Sequence, residues 1–169
     1  SVQLLPQIVS RYRPEHPGID LRLQESDEMD ELLADLREGR LDLTFTVAGD
    51  DVGLAVIELF DDPFVLVSPA DEVAPGEHIP LARLPELNMI GEFDTTCQRQ
   101  IDSALRGAGV GDLNVVFRST DNGAIQAMVR AGVGHALMPA LAVDADDPDV
   151  RVQRMDPELP PRTIGLAWR

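Results

Sequence analysis

Cys97 follows Thr95 and Thr96 at the start of a helical pattern. A thiol there can lose its proton and act as a nucleophile, because unpaired amides at a helix N-terminus stabilise a thiolate. The same spacing supports a plainer role. Cys97, Ile101 and Leu105 recur every four residues on one apolar face, and the sequence holds no second cysteine to resolve a sulfenic acid. Core packing is therefore the expectation for Cys97. The hydroxyls of Thr95 and Thr96 can bond a ligand oxygen beside the helix amides, or one of them can simply cap the helix.

Catalytic signatures are otherwise missing. The sequence has no G-x-S-x-G, H-E-x-x-H or C-x-x-C, and His16, His78 and His135 stand far apart without ligand spacing. All 14 basic residues are Arg, which excludes Schiff-base chemistry and a P-loop lysine. Gly132-Val133-Gly134 lacks the third glycine of a dinucleotide fingerprint and follows a helix instead of a strand, so it reads as a helix end and a tight turn. The acidic runs Asp27–Asp30 and Asp144–Asp149 lack the alternating oxygens, central glycine and terminal Glu of a calcium loop, and read as solvated faces and helix-start acids. No enzyme activity, cofactor or metal is expected.

These residues need positioning by a framework in which helix and strand periods alternate. Leu4, Leu5, Ile8, Val9 and Tyr12 mark a helix ended by Pro14. Ile19, Leu21 and Leu23 alternate as a strand would, and Ser26-Asp27 can cap a helix with the stripe Met29, Leu32, Leu33 and Leu36, closed at Gly39. Strands are expected at Leu41–Val47, Leu54–Phe60 and Pro63–Ser68, the last apolar enough to be covered on both faces. A polar loop spans Ala70–Pro80. Strands near Leu87–Gly91, Asn114–Ser119 and His135–Met138 then enclose helices at Thr96–Arg106 and Asn122–Ala131. Val150–Arg154 and Thr163–Trp168 close the series. The class is α/β, with mostly parallel sheets and helices on both faces.

Three segments, in order, resemble the LysR-type transcription regulator family. They are Leu4-Leu5-Pro6 with Tyr12-Arg13-Pro14-Glu15-His16-Pro17; Leu32 through Gly39-Arg40-Leu41-Asp42-Leu43; and Ala131-Gly132-Val133-Gly134 running to Met138-Pro139. The resemblance covers essentially the whole chain and implies its effector-binding part. That part has a two-lobed fold like the type 2 periplasmic binding proteins, with an effector held between lobes joined by two crossovers. On this reading residues 1–68 and 139–169 form lobe one and residues 69–138 lobe two, with crossovers near Ser68-Pro69 and Met138-Pro139. The family's first strand, its C-terminal helix and its DNA-binding domain are expected outside this chain.

The implied effector contacts are Ser26 or Asp27, Met29 and Thr46 from lobe one, and Phe93, Thr95, Thr96 and Asn122 from lobe two. Helix N-termini facing the cleft favour a small anionic metabolite. Peroxide-sensing members of the family carry a reactive cysteine in the loop corresponding to that of Cys97. A homodimer or homotetramer is implied, built through the first helix and lobe two. A solute-binding protein of a transporter shares the fold and is the alternative; residues upstream, leader or helix-turn-helix, separate the two.

Composition agrees with a sensor module. The formal net charge is −16, and no basic stripe is available to displace counterions from a duplex, so DNA is expected to be reached only through another domain. No apolar stretch approaches the roughly 20 residues of a membrane span. The lone cysteine suits a reducing cytoplasm.

Overall fold

The computed structural model of the chain describes residues 4–26, 28–47 and 53–169. Helix α1 (Leu4–Glu15) opens it, and none of its residues is buried; Ile8, Val9 and Tyr12 lie exposed. The segment from Ile19 to Gln24 forms no strand, against the expectation from its alternation, and Ile19, Leu21 and Leu23 are exposed. Alternation is a local property, whereas a strand also needs a ladder partner. None of the described strands pairs with this segment.

Helix α2 (Met29–Arg37) buries Leu32, Leu33 and Leu36 and packs on strand β1 (Leu43–Val47). Its N-cap position is Glu28, with no side-chain cap. Ser26 instead accepts the Glu28 amide at 3.1 Å and donates to Glu31 at 2.7 Å; Asp27 lies outside the described residues. Strand β2 (Ala55–Asp62) and the last strand, β10 (Arg162–Trp168), complete a three-stranded antiparallel sheet in the order β1-β10-β2.

A second, five-stranded sheet holds the larger core. Strand β3 (Phe64–Pro69) follows β2 after Pro63 and is buried throughout, as its continuous apolar run predicts. The Ala70–Pro80 loop ends in a short strand β4 (Ile79–Pro80) and a 3-10 turn (Leu81–Glu86). Then come β5 (Asn88–Gly91), α3 (Thr96–Gly107), β6 (Asn114–Arg118), α4 (Asn122–Arg130) and β7 (His135–Pro139). After a 3-10 turn at Ala140–Ala142, strands β8 (Val150–Gln153) and β9 (Met155–Asp156) lead back to β10.

The sheet order is β6-β5-β7-β3-β8. The two crossovers through α3 and α4 make β5 parallel to both β6 and β7, while β3 pairs antiparallel with β7 and β8. The sheets are therefore mixed, not mostly parallel. Within the five-stranded sheet, parallel pairing follows the helical crossovers on either side of β6, and the other neighbours reverse direction; β4 and β9 form a separate short parallel pair. Strands β3 and β8, on either side of the β7 segment in sequence, both hydrogen-bond into this second sheet. The chain changes sheet at Pro63 and between β9 and β10.

Strand alternation divides the core in two. Phe64, Leu66, Met89 and Leu137 point to the α3 side with Ile101 and Leu105, and Cys97 packs against this cluster. Val65, Val67, Ile90, Ala136 and Met138 point to the α4 side with Ile125 and Val129. Burying a side chain of this size contributes about 1.5–3 kcal/mol, so these clusters hold α3 and α4 firmly on their sheet. Gly132 takes φ 74° just beyond the end of α4, as the helix-end reading requires. Gly134 lies so close to β5 that an added Cβ would stand 2.4 Å from the Asn88 carbonyl oxygen.

Candidate functional site

Parallel strands followed by helices put strand carboxyl ends and helix N-termini on one side of a sheet, and ligands of open α/β folds bind there. In this chain a cavity of about 120 Å3 opens at that edge. The turn from β5 to α3 contributes Glu92, Thr95 and Cys97; the turn from β6 to α4 contributes Thr120 and Asn122. Pro139 and Ala142 follow β7, and Arg162 arrives from the start of β10. Both sheets thus supply walls.

Each wall is locally determined. Thr95 is the N-cap of α3; its hydroxyl accepts the Gln98 amide at 3.1 Å and donates to Glu92 at 2.5 Å. The Glu92 amide donates to the Gln98 side-chain oxygen at 2.9 Å, and Arg118 donates to the Glu92 carbonyl at 2.6 Å. Asp121 caps α4 through the Ala124 amide at 3.1 Å, which brings Asn122 to the first helical position. The Asn122 side-chain oxygen is buried and has no hydrogen-bond partner. Arg162 is fixed by Asp62, which is 1% exposed: Nε and one Nη of the guanidinium donate to the same carboxylate oxygen at 2.9 and 2.7 Å. The other oxygen of Asp62 accepts the Leu141 amide at 3.0 Å, tying the three-stranded sheet to the turn after β7.

Burial pushes the Cys97 thiol up to about 12, and the Glu92 and Asp62 carboxylates add to the shift by charge, Glu92 also by accepting a hydrogen bond from the thiol; only Arg162 opposes it. The thiol is thus a protonated wall of the cavity, in line with its packing beside Ile101 and Leu105.

Among the residues singled out from sequence, the cavity brings together Thr95 and Asn122. Thr96 begins α3 and accepts from Arg99 at 3.1 Å, and Phe93 is 56% exposed in the preceding turn. Thr46 is buried in β1, opposite Gly165. Ser26 and Met29 stand at the start of α2, where neighbouring Glu28 reaches Arg99 at 3.5 Å. This exposed pair spans the two sheets' helices and contributes at most about 1 kcal/mol. Sequence reasoning missed Asp62, Glu92, Thr120 and Arg162. A signal existed in part: Asp61-Asp62-Pro63 ends an apolar strand, and Arg162 follows Pro160-Pro161, both abrupt charges at element boundaries.

These placements separate the two threonines. Thr95→Val should lower stability by about 1 kcal/mol through loss of the cap, whereas Thr96→Val should stay within about 0.5 kcal/mol. Thermal denaturation of both variants checks this, and the reverse order would contradict the assignment of the cap.

Two other features resemble sites without being built as such. A hollow of about 690 Å3 along α1 is wider, but its lining, Pro6, Val9, Ser10, Arg13, Pro14 and Pro17, comes from one helix and its following turn alone. At the opposite end of the five-stranded sheet, Ser68, His135 and Glu72 align as Ser-His-acid groups do, with His135 Nδ1 at 2.8 Å from Ser68 and Nε2 at 3.3 Å from Glu72. Ser68 is fully buried and donates to Gln153 at 2.9 Å, so no substrate reaches it and its proton already has an acceptor. Burial keeps the His135 pKa below its usual value, against the pull of Glu72. The acidic run at 144–149 is structural too. The Asp144 backbone carbonyl accepts from the Gln126 side-chain amide and the Asp144 amide donates to the Gln126 side-chain oxygen, each at 2.9 Å, and Asp147 binds Arg130 at 3.2 Å. No group of three or more metal-ligating side chains occurs among the described residues.

Comparison with known proteins places this architecture. The chain is 32% identical over 171 residues to the DNA-binding transcriptional dual regulator OxyR of Escherichia coli K12, and 30% identical over 173 residues to a probable hydrogen peroxide-inducible genes activator of Mycobacterium avium. Each alignment covers 98% of this chain and 55% of the relative, so the chain spans about half the length of these proteins. The crystal structure of the reduced form of OxyR superposes with a TM-score of 0.79 at 29% identity, covering 98% of this chain and 79% of that one. HinK, a LysR family regulator of Pseudomonas aeruginosa, shares the fold with a TM-score of 0.80 at 24% identity, over 98% of this chain and 59% of that one. A family model described as the LysR substrate binding domain matches residues 1–169 from end to end, and the chain belongs to that family.

Proposed function

We propose that this chain is the effector-sensing part of a LysR-type transcription regulator, taking a small molecule into the cavity between its two sheets and so controlling a DNA-binding domain outside these residues. The observation that carries the reading is the convergence of Thr95, Asn122 and Arg162, from three separate stretches of chain, on one cavity with an unpartnered buried acceptor. The three-stranded sheet with α2 and the five-stranded sheet with α3 and α4 serve as the two lobes, and Pro63 and residues 157–161 as the crossovers. A ligand touching both lobes shifts their balance only by its difference in affinity between open and closed forms.

The relatives are regulators, which favours this reading over a transporter's solute-binding protein. In it the domain works in the cytoplasm as a homodimer or homotetramer, and the exposed Ile8, Val9 and Tyr12 of α1 offer an apolar contact face. Relatives named for hydrogen peroxide raise a second reading, in which Cys97 is oxidised, and its place in the cavity wall favours that reading. The thiol's displacement to about 12 opposes it, and reversible binding is preferred.

A thermal-shift screen of small metabolites tests the proposal. A ligand at a hundred times its Kd adds about 2.7 kcal/mol, or about 5–10 °C in Tm for a domain of this size. The gain should vanish in Asn122→Ala and survive in Val9→Ala. A stabilising metabolite indifferent to Asn122→Ala would place the site elsewhere.

A further inference from the structure

We propose that Asp62, by holding the Arg162 guanidinium, sets the ligand class of the cavity: a small uncharged molecule that donates hydrogen bonds, in place of a carboxylate or phosphate anion. The inference rests on the cavity being the effector site. Arg162 is the cation among the lining residues, and its Nε and one of its two Nη groups already donate to the buried Asp62, which neutralises its charge. Glu92 adds a carboxylate to the wall, and the Asn122 oxygen lacks a donor. An entering anion meets a neutralised cation and a second negative charge. The helix ends do not reverse this. Each carries about half a unit of positive charge, and first-turn amides of both helices are already capped, Gln98 by Thr95 and Ala124 by Asp121. The volume of about 120 Å3 corresponds to roughly four waters, at about 30 Å3 each, so a molecule of a few heavy atoms fits.

Cys97 lines the same cavity and reports its charge selectivity. Iodoacetamide and iodoacetate alkylate a thiolate by the same displacement of iodide and differ in carrying no charge or one negative charge. The ratio of their rates at Cys97 at pH 9, divided by the ratio for glutathione, cancels the thiolate fraction. In the wild-type domain this quotient should favour the neutral reagent by about tenfold or more. Asp62→Asn unmasks Arg162 and should bring the quotient down to one or below; Arg162→Gln should raise it above the wild-type value. If Asp62→Asn instead exposes the thiol, so that both reagents react at glutathione's own rates, Glu92→Gln supplies the charge change with Asp62 in place and must lower the quotient. A wild-type quotient near one, or a quotient unmoved by the charge changes in folded variants, overturns the proposal. Neutral preference in a domain that no metabolite stabilises would remove the effector assignment while leaving the electrostatics standing. A carboxylate that stabilises the domain through Asn122 would keep the site and overturn the ligand class.

Discussion

Alkylation of Cys97 by iodoacetamide at pH 7 should run about fiftyfold or more slower than that of an unhindered cysteine. A thiol raised from 9.0 to about 12 holds about a thousandfold less thiolate at neutral pH. A more basic thiolate is also a better nucleophile, with a Brønsted slope of about 0.4–0.5, which returns about twentyfold over this interval. The balance is slow reaction, and restricted access within the wall slows it further. The rate should keep rising with pH beyond 9 without a plateau, because the thiol remains mostly protonated until pH approaches its raised value. Peroxide should oxidise Cys97 slowly for the same reason, since the thiolate is again the reacting species. A plateau at or below pH 8, or stoichiometric sulfenylation by micromolar peroxide within seconds, would show that the cavity stabilises the thiolate and would favour the redox reading.

Arg162→Leu should destabilise the domain by about 3–5 kcal/mol, because it strands the buried carboxylate of Asp62 without its counter-ion. The contribution of the pair itself is smaller than this loss suggests. Desolvation offsets most of the attraction, so the double variant Asp62→Leu with Arg162→Met should recover much of the stability, although it removes the bond to the Leu141 amide. The single change corresponds to roughly 6–20 °C in Tm for a domain of this size. Calorimetry on the two single variants and the double gives the coupling directly. A loss below 1 kcal/mol for Arg162→Leu would mean that Asp62 finds water or another donor, and the joint between the sheets would then be looser than its geometry implies.

The fold was largely legible because its strongest signals are local. The continuous apolar run of β3, the four-residue spacing along α3 and the glycine ending α4 each declare an element from its own residues. Where structure depends on a distant partner, local reading fails. Ile19 to Gln24 alternates correctly and forms no strand, since nothing described offers it a ladder. The antiparallel pairings of β3 with β7 and β8 leave no trace in periodicity, so the expectation of mostly parallel sheets did not survive. The site divides along the same line. Thr95 and Asn122 could be found because helix starts can be read from sequence and helix starts line such cavities. Asp62 and Arg162 are a hundred residues apart, and the pairing of β2 with β10 brings them together.

Entry of a small molecule into the cavity between the sheets should be visible in amide chemical-shift mapping with acetamide. Acetamide is uncharged, donates two hydrogen bonds and fits a volume of about 120 Å3. Saturable shifts are predicted at the amides of Glu92, Thr95, Cys97, Asn122 and Leu141, with no matching response to acetate. Saturable shifts confined to α1, or none at the cavity up to molar acetamide, would contradict the account.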